Sequence, residues 1–505
     1  MLTRRSLVFA VALLGAGVLT HTQSRVVAIV GGTVADGNGG PPLPNAVVII
    51  DGDRIAQVGS TSAVAVPAGA QIIDAKGKWI VPGLVDTNVH LSLYGGMNER
   101  YETLVRYQPR ASEIVLEAAQ IELAHGVTTV RDSYGLLGPL REVRDRIRAG
   151  KAIGPRILAA GNIVGWSGPY SITFSLTRPG GLTLFQEEMN DEVAQGAGQE
   201  LMSMPLDELR AAIDAYLEKG PDFVKYGATS HFADPTFIGF SPEAQRVIVE
   251  EAHKRGRVAE THATSVEGLR LAIAAGVDLI QHPEVIDGRE IPDALVSALR
   301  DRKIVCSMLV STITGEAWQK HLDDRKAAEK KRAEQVKKGQ LPERARTTLE
   351  QRKIDEDLGT ALELRRRNAE KLIRGGCITT VGTDSYWAAA PEFTRTPKPE
   401  AQNHGIGTIL AIEGLVELGM TPAQAITAGT KNGAIASRQA DEYGSVERGK
   451  AADLVILGGD PLADIRALRT VERVIKGGRL IDRTALPEVR VLSRPASSSK
   501  GTGQP

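Results

Sequence analysis

The chain begins and ends with short β-branched runs. Between them lies a long alternation of apolar and amphipathic segments. From Arg25 to Ile80 the runs VVAIVGGTVAD, AVVIIDGDRIAQVG and QIIDAKGKWI are punctuated by Gly, Asp and Pro, the pattern of short strands and turns. A matching block, GSVERGKAADLVILGGDPLADI and VERVIKGGRLI, runs from Gly444 to Ile481. Strand runs at both ends flanking an α/β middle predict one β-sandwich drawn from residues 25–80 and 435–492.

Over residues 81–434, strand-like segments alternate with helix-compatible ones. The strands are expected at Leu84–Leu91, Val127–Asp132, Arg156–Gly161, Phe223–Ala228, Val258–His262, Leu279–His282, Ile304–Leu309 and Ile378–Asp384. Eight such units predict an α/β fold of the (β/α)8 TIM-like barrel type. Ser265 to Ala275 has the amphipathic spacing of a crossover helix. Trp318 to Arg367 is rich in charge and in good helix formers, so an exposed helical insertion is expected at about 318–367. It reads as a solvated helix pair, or as a lid or oligomer contact. The Ser/Gly/Pro-rich tail, 493–505, is expected to be disordered.

A length of 505 residues suits a barrel with a companion domain. Basic and acidic residues balance at 61 each, so no charge excess points to nucleic acid or to an anionic membrane. Cys306 and Cys377 lie in apolar runs and read as core residues, not as a disulfide framework. Residues 1–24 read as a signal peptide: Arg4-Arg5, an apolar run from Leu7 to Leu19 too short to span comfortably, then polar residues. Thr3-Arg4-Arg5-Ser6-Leu7-Val8 also resembles a twin-arginine signal. An exported protein, periplasmic or secreted, without stable membrane association after signal removal, is the expectation. A homo-oligomer stays open.

Candidate chemistry concentrates at strand ends, where barrels of this kind carry their active groups. Val81 to Gly96, VPGLVDTNVHLSLYGG, is a turn, a short strand and a glycine-ended loop. Side chains alternate along a strand, so Asn88 and His90 share a face. The fourth strand holds Lys225 among apolar neighbours. It is either a salt-bridged or snorkelling lysine, or a desolvated amine with a lowered pKa. A neutral amine can add carbon dioxide, and the resulting carbamate has two oxygens able to bridge cations. His262 and His282 close the fifth and sixth strands, and imidazoles in that position suit Zn²⁺. Each alone more often reads as a structural histidine; two at successive strand ends are the signal together. Asp384 closes the eighth strand, where an Asp can also cap a helix. Trp166, Tyr170, Tyr226, Tyr386, His231 and His404 follow strand ends and either line a substrate pocket or serve packing. Arg131-Asp132 reads as a structural pair.

GGTVADG, IIDAKGKWIVPGLVDTNVH and GSVERGKAADLVIL resemble the opening and closing signatures of the amidohydrolase superfamily, and the likeness covers most of the mature chain. The imidazolonepropionase/prolidase-like branch is the nearer one. The resemblance implies a metal-dependent hydrolase with one or two divalent cations, zinc foremost. It also implies a carboxylated Lys225, and an Asp384 that both binds metal and moves the proton. His262 and His282 would hold one cation, and His90 would face a second. The family usually has His-x-His after the first strand, whereas this chain has Asn88-Val89-His90, which makes Asn88 a weak ligand. That variant resembles a subgroup including phenylurea and thiocarbamate hydrolases. The expected reaction on a small-molecule substrate is hydrolysis of an amide, urea or carbamate C–N bond. An exported dipeptidase of the prolidase type and a non-catalytic metal-binding homologue are the alternatives.

Overall fold

The computed structural model describes residues 26–94, 107–168, 171, 173, 181–231, 236–387 and 400–493. The signal segment, Tyr170 and the tail from Arg494 lie outside the described residues.

Strands from both ends of the chain share one sheet. Five come before the barrel: β1 (Val27–Val34), β2 (Leu43–Asp51), β3 (Arg54–Ser60), β4 (Gln71–Asp74) and β5 (Trp79–Pro82). In the middle of the chain follow β6 (Leu84–Tyr94), β7 (Val127–Asp132), β8 (Arg156–Ala159), β9 (Ile163–Val164), β10 (Phe223–Gly227), β11 (Val258–His262), β12 (Leu279–Gln281), β13 (Val305–Met308), β14 (Ile378–Val381) and β15 (Ser385–Trp387). Three strands return after it: β16 (Leu454–Leu457), β17 (Val471–Lys476) and β18 (Arg479–Ile481). The terminal sheet has the order β18-β17-β16-β5-β1-β2-β3, with β4 beside β1. Side chains alternate faces along a strand, and β16 shows the consequence. Leu454 and Ile456 join Ile29, Val48, Ile50 and Ile80 in the terminal core. Val455 and Leu457 point the other way, into the barrel core. One strand therefore bonds both hydrophobic cores together.

The middle strands form two parallel sheets, β14-β13-β12-β11-β10-β9 and β15-β6-β7-β8. All eight expected strand positions carry a strand. The third is split into β8 and β9. The sheets meet at both edges. β8 runs on into β9 within five residues, and β14 returns beside β6, where Thr87 Oγ1 donates to Val381 O at 2.8 Å and Asp384 N to Asn88 O at 2.8 Å. Inside, polar groups from five strands form a floor. Arg131 pairs with Glu260 at 2.5 Å, Gln281 donates to Glu260 and to Thr87 O, and Thr87 meets Ser307 at 2.8 Å. Each of these side chains has a buried partner, though among the described residues Arg131 Nε and Gln281 Oε1 are left without one.

The structure corrects two expectations. Arg131 and Asp132 are both structural but are not partners: Arg131 reaches Glu260, while Asp132 Oδ2 accepts from Leu91 N at 2.7 Å. Successive residues of a strand face opposite ways, so adjacency in sequence separates them. The charged insertion is exposed only in part. The helices Gly315–Lys337 and Thr348–Asp357 bury no residue, but Thr360–Arg374 buries Arg365, Asn368, Ala369 and Leu372. That spacing is a core-facing helical stripe; two polar members disguise it. Cys306 and Cys377 are buried free thiols. Among the described residues no helix is long and apolar enough to cross a membrane.

Candidate metal centre

Lys225 and His262 on β10 and β11, Asn88 and His90 within β6, and His282 and Asp384 just beyond β12 and β14 converge. His90 Nδ1 faces Tyr134 O at 3.2 Å and Nε2 faces Asp384 Oδ1 at 2.7 Å. A carbonyl only accepts, so Nδ1 carries a proton; the contact with the carboxylate places another on Nε2. A cation bound at Nε2 replaces that second proton. His282 Nε2 lies 3.9 Å from the same Oδ1. The rings of His262 and His282 meet edge-on at 5.0 Å.

The donor set suits a divalent cation. Among the described residues, His262 Nε2 is buried with no hydrogen-bond partner, an orphaned polar atom. Burial, reinforced by His282 and Lys225, holds His262 well below its ordinary pKa, and burial takes His282 down to about 4. Both imidazoles are therefore neutral near pH 7, the form that ligates metal. Burial also lowers the Lys225 amine, against the pull of Glu260, Asp384 and Asp132. For Asp384, burial acts upward, but His90, His282 and Lys225 outweigh it and hold the carboxylate well below its usual range. Among the described residues no three His, Cys, Asp or Glu side chains already form a ligand cage. Asp384 Oδ1 is engaged by His90 and Asn88.

His282 and Asp384 both adopt left-handed backbone, at φ 59° and φ 54°. His and Asp tolerate this region better than bulkier residues, yet each position stores about 1–3 kcal/mol of strain. Both residues lie just beyond the ends of their strands, β12 and β14.

Asn88 is placed beside Asp384, but its amide is oriented against the role of ligand. Its Nδ2 donates to Asp384 Oδ1 at 3.1 Å, and its oxygen accepts from Ser133 Oγ. Ser133 Oγ in turn accepts from Lys225 Nζ at 3.0 Å. Ser133 thus links the lysine to the amide, and the amide oxygen faces Ser133 rather than Asp384. Ser133 escaped the sequence reading; its signal was a hydroxyl one residue beyond the second strand end.

The expected pocket residues divide. Trp166 meets His262 at 4.8 Å and His231 at 5.8 Å, and His231 stacks on His262 at 6.1 Å. Tyr134, also missed, joins this aromatic wall against His90 and Trp166. The indole lies directly over Gly227, where any side chain would collide with it. Tyr386 is half-buried on β15, its backbone in register with His90. Tyr226 is not a pocket residue. It follows inward-facing Lys225, so it points outward, packing on Phe240 and donating to Gln245 Oε1 at 3.0 Å. His404 sits against Glu122, Ser385 and Trp387, bracing the strand behind Asp384.

Parallel strands that bring histidines, a lysine and an aspartate together at their ends form a site of the kind a metal-dependent hydrolase uses. The Amidohydrolase family model matches residues 79–481. The chain belongs to the amidohydrolase family and is an enzyme acting on C–N bonds; the family implies an α/β TIM barrel with an added domain and generally binds divalent metal. It is similar in structure to molinate hydrolase, with 33% identity, TM-score 0.80 and coverage of 94% of this chain and 99% of that one. Phenylurea hydrolase B is similar too, with 32% identity, TM-score 0.81 and coverage of 93% and 100%. In sequence the chain is 26% identical to the ochratoxinase of Aspergillus niger over 481 residues, 91% of this chain and 87% of that protein.

Proposed function

We propose that the enzyme hydrolyses an N-substituted urea, carbamate or amide, with His262, His282, Asp384, His90 and a carboxylated Lys225 as ligands to zinc. The observation that carries this reading is the orphaned, buried Nε2 of His262 beside a second neutral imidazole, an ionised carboxylate and a desolvated amine.

The unprotonated Lys225 Nζ attacks carbon dioxide. An N–C bond forms, one C=O electron pair moves onto oxygen, and the nitrogen releases a proton to solvent. The product is an anion with two donor oxygens where the amine had one nitrogen. A divalent cation bound here supplies Lewis acidity, lowering the pKa of water and polarising a carbonyl. Asp384, ionised and held by Asn88, accepts the proton from the attacking water and returns it to the departing nitrogen. Trp166, His231 and Tyr134 form an aromatic wall suited to an apolar substituent on the substrate. Likeness to phenylurea hydrolase B supports a urea or carbamate over a dipeptide. Residues 1–24 motivate a periplasmic or secreted location.

The test is metal analysis of purified enzyme, followed by a panel of arylureas, carbamates, anilides and dipeptides. Turnover of a urea, carbamate or anilide by zinc-bearing protein is expected. Turnover of dipeptides alone would reassign the substrate class.

A further inference from the structure

The loop that presents His282 is doubly strained. His282 has φ 59° and Val285 φ 50°, the latter a β-branched residue in a region such side chains rarely enter. Strain of this kind persists only where the surroundings over-determine it. The restraint comes from the buried stripe of the helix Thr360–Arg374.

Arg365 joins three separate segments. Its Nη2 donates to Glu284 Oε1 and to Leu309 O, both at 2.7 Å, and its Nη1 donates to Thr312 Oγ1 at 3.2 Å. Glu284 Oε1 also accepts from Leu309 N at 3.2 Å. Asn368, fully buried one turn on, donates to Glu284 O at 3.1 Å and Arg289 O at 2.9 Å and accepts from Ile291 N at 3.0 Å. The loop from His282 to Ile291 is therefore gripped near both ends. Glu284, two residues after His282, is the centre of the grip and is itself fully buried.

We propose that Arg365 and Asn368 are positioning residues for His282: they clamp the left-handed loop that aims its imidazole at the metal. This rests on His282 being a ligand, as proposed above. Neither residue touches the centre; both act through Glu284 and the loop backbone. Outer groups that orient a ligand typically control metal affinity or activity by about 10–100-fold.

The test uses full-length enzyme with Arg365→Lys, Asn368→Ala, His282→Ala and, as a surface control on the same helix, Arg367→Lys. Lysine keeps the charge at 365 but loses the planar fork that serves three acceptors together. Zinc affinity is measured by equilibrium dialysis, melting temperature on metal-free protein, and kcat and KM separately. Arg365→Lys and Asn368→Ala are expected to bind zinc at least about ten-fold more weakly and to lose kcat similarly, with KM within about two-fold. Metal-free melting should fall, because buried partners lose their hydrogen bonds, so zinc affinity is read at a temperature where every variant is folded, and Arg367→Lys should change nothing. Unmodified zinc affinity and kcat in both clamp variants, with His282→Ala impaired, overturns the clamp and leaves the metal site standing. Full zinc binding by His282→Ala overturns the site reading itself. If Arg365→Lys does not fold, Asn368→Ala and Thr312→Ala, each removing less of the grip, decide by the same readouts.

Discussion

Asn88 and Asp384, 296 positions apart, are joined by one hydrogen bond: Asn88 Nδ2 donates to Asp384 Oδ1 at 3.1 Å. The oxygen of that amide faces Ser133, so the group that replaces the family's usual histidine stabilises the ionised form of Asp384. A hydrogen bond to a charged group contributes about 1.5–3 kcal/mol. Asn88→Ala is expected to lower kcat about ten- to hundred-fold while zinc content holds near the unmodified level. A parallel fall in zinc content would return Asn88 to the role of ligand.

Asp384→Asn should give a folded protein with turnover reduced by at least about 10²-fold, the usual contribution of a positioned acid–base group. Circular dichroism and steady-state kinetics check both halves. Near-normal turnover would remove Asp384 from the chemistry.

Lys225→Ala is expected to lose both bound zinc and activity, with partial recovery in short carboxylic acids, whose oxygens stand in for those of a carbamate. Enzyme equilibrated with ¹³C-bicarbonate should show a protein-bound carbamate carbon by NMR, absent from Lys225→Ala. Labelled carbon in neither protein sinks the modification.

Zinc loading should release protons, because His90 gives up the proton on Nε2. Adding zinc to metal-free enzyme in weak buffer is expected to acidify the solution and raise the melting temperature. Both effects should reverse with a chelator, and His90→Ala should release less acid. A zinc titration without a pH change would argue against the protonated His90.

Asp453 binds the barrel to the terminal sheet by accepting from Arg156 at 3.1 Å and from Lys476 at 3.0 Å. Burial pushes this carboxyl up, but Lys476 and Arg156 outweigh it and hold the folded-state pKa below 3.8. A lowered acid favours folding above its unfolded pKa and loses that contribution as pH falls through the folded value. The stabilisation should thus be complete above about pH 5 and fade below 3.8. Asp453→Asn should cost about 3–5 kcal/mol at pH 7, because it leaves two cations without their shared anion. Denaturant unfolding at pH 7 and at pH 3 checks this; an equal cost at both would contradict it.

The strand pattern was legible in the sequence because barrel strands are short apolar runs bounded by turn residues. All eight positions were found that way. His90, Lys225, His262, His282 and Asp384 stood out for a related reason: each alone has a structural reading, but polar residues recurring at the ends of such runs point together to a site, and their likeness to a known family sharpened the reading. Tertiary structure alone decided the rest. Whether Asn88 offers a metal its oxygen or Asp384 its N–H depends on Ser133 and Lys225, which reach it from two other strands. Arg365 looked like a member of a solvated helix, since a charged side chain announces exposure until a buried partner is known. That partner, Glu284, lies 81 residues from Arg365. The sequence by itself determined which residues form strands and which polar groups stand at their ends, through local periodicity and composition. The direction of each hydrogen bond and the aim of each ligand were decided by contacts between distant segments, which no local pattern encodes.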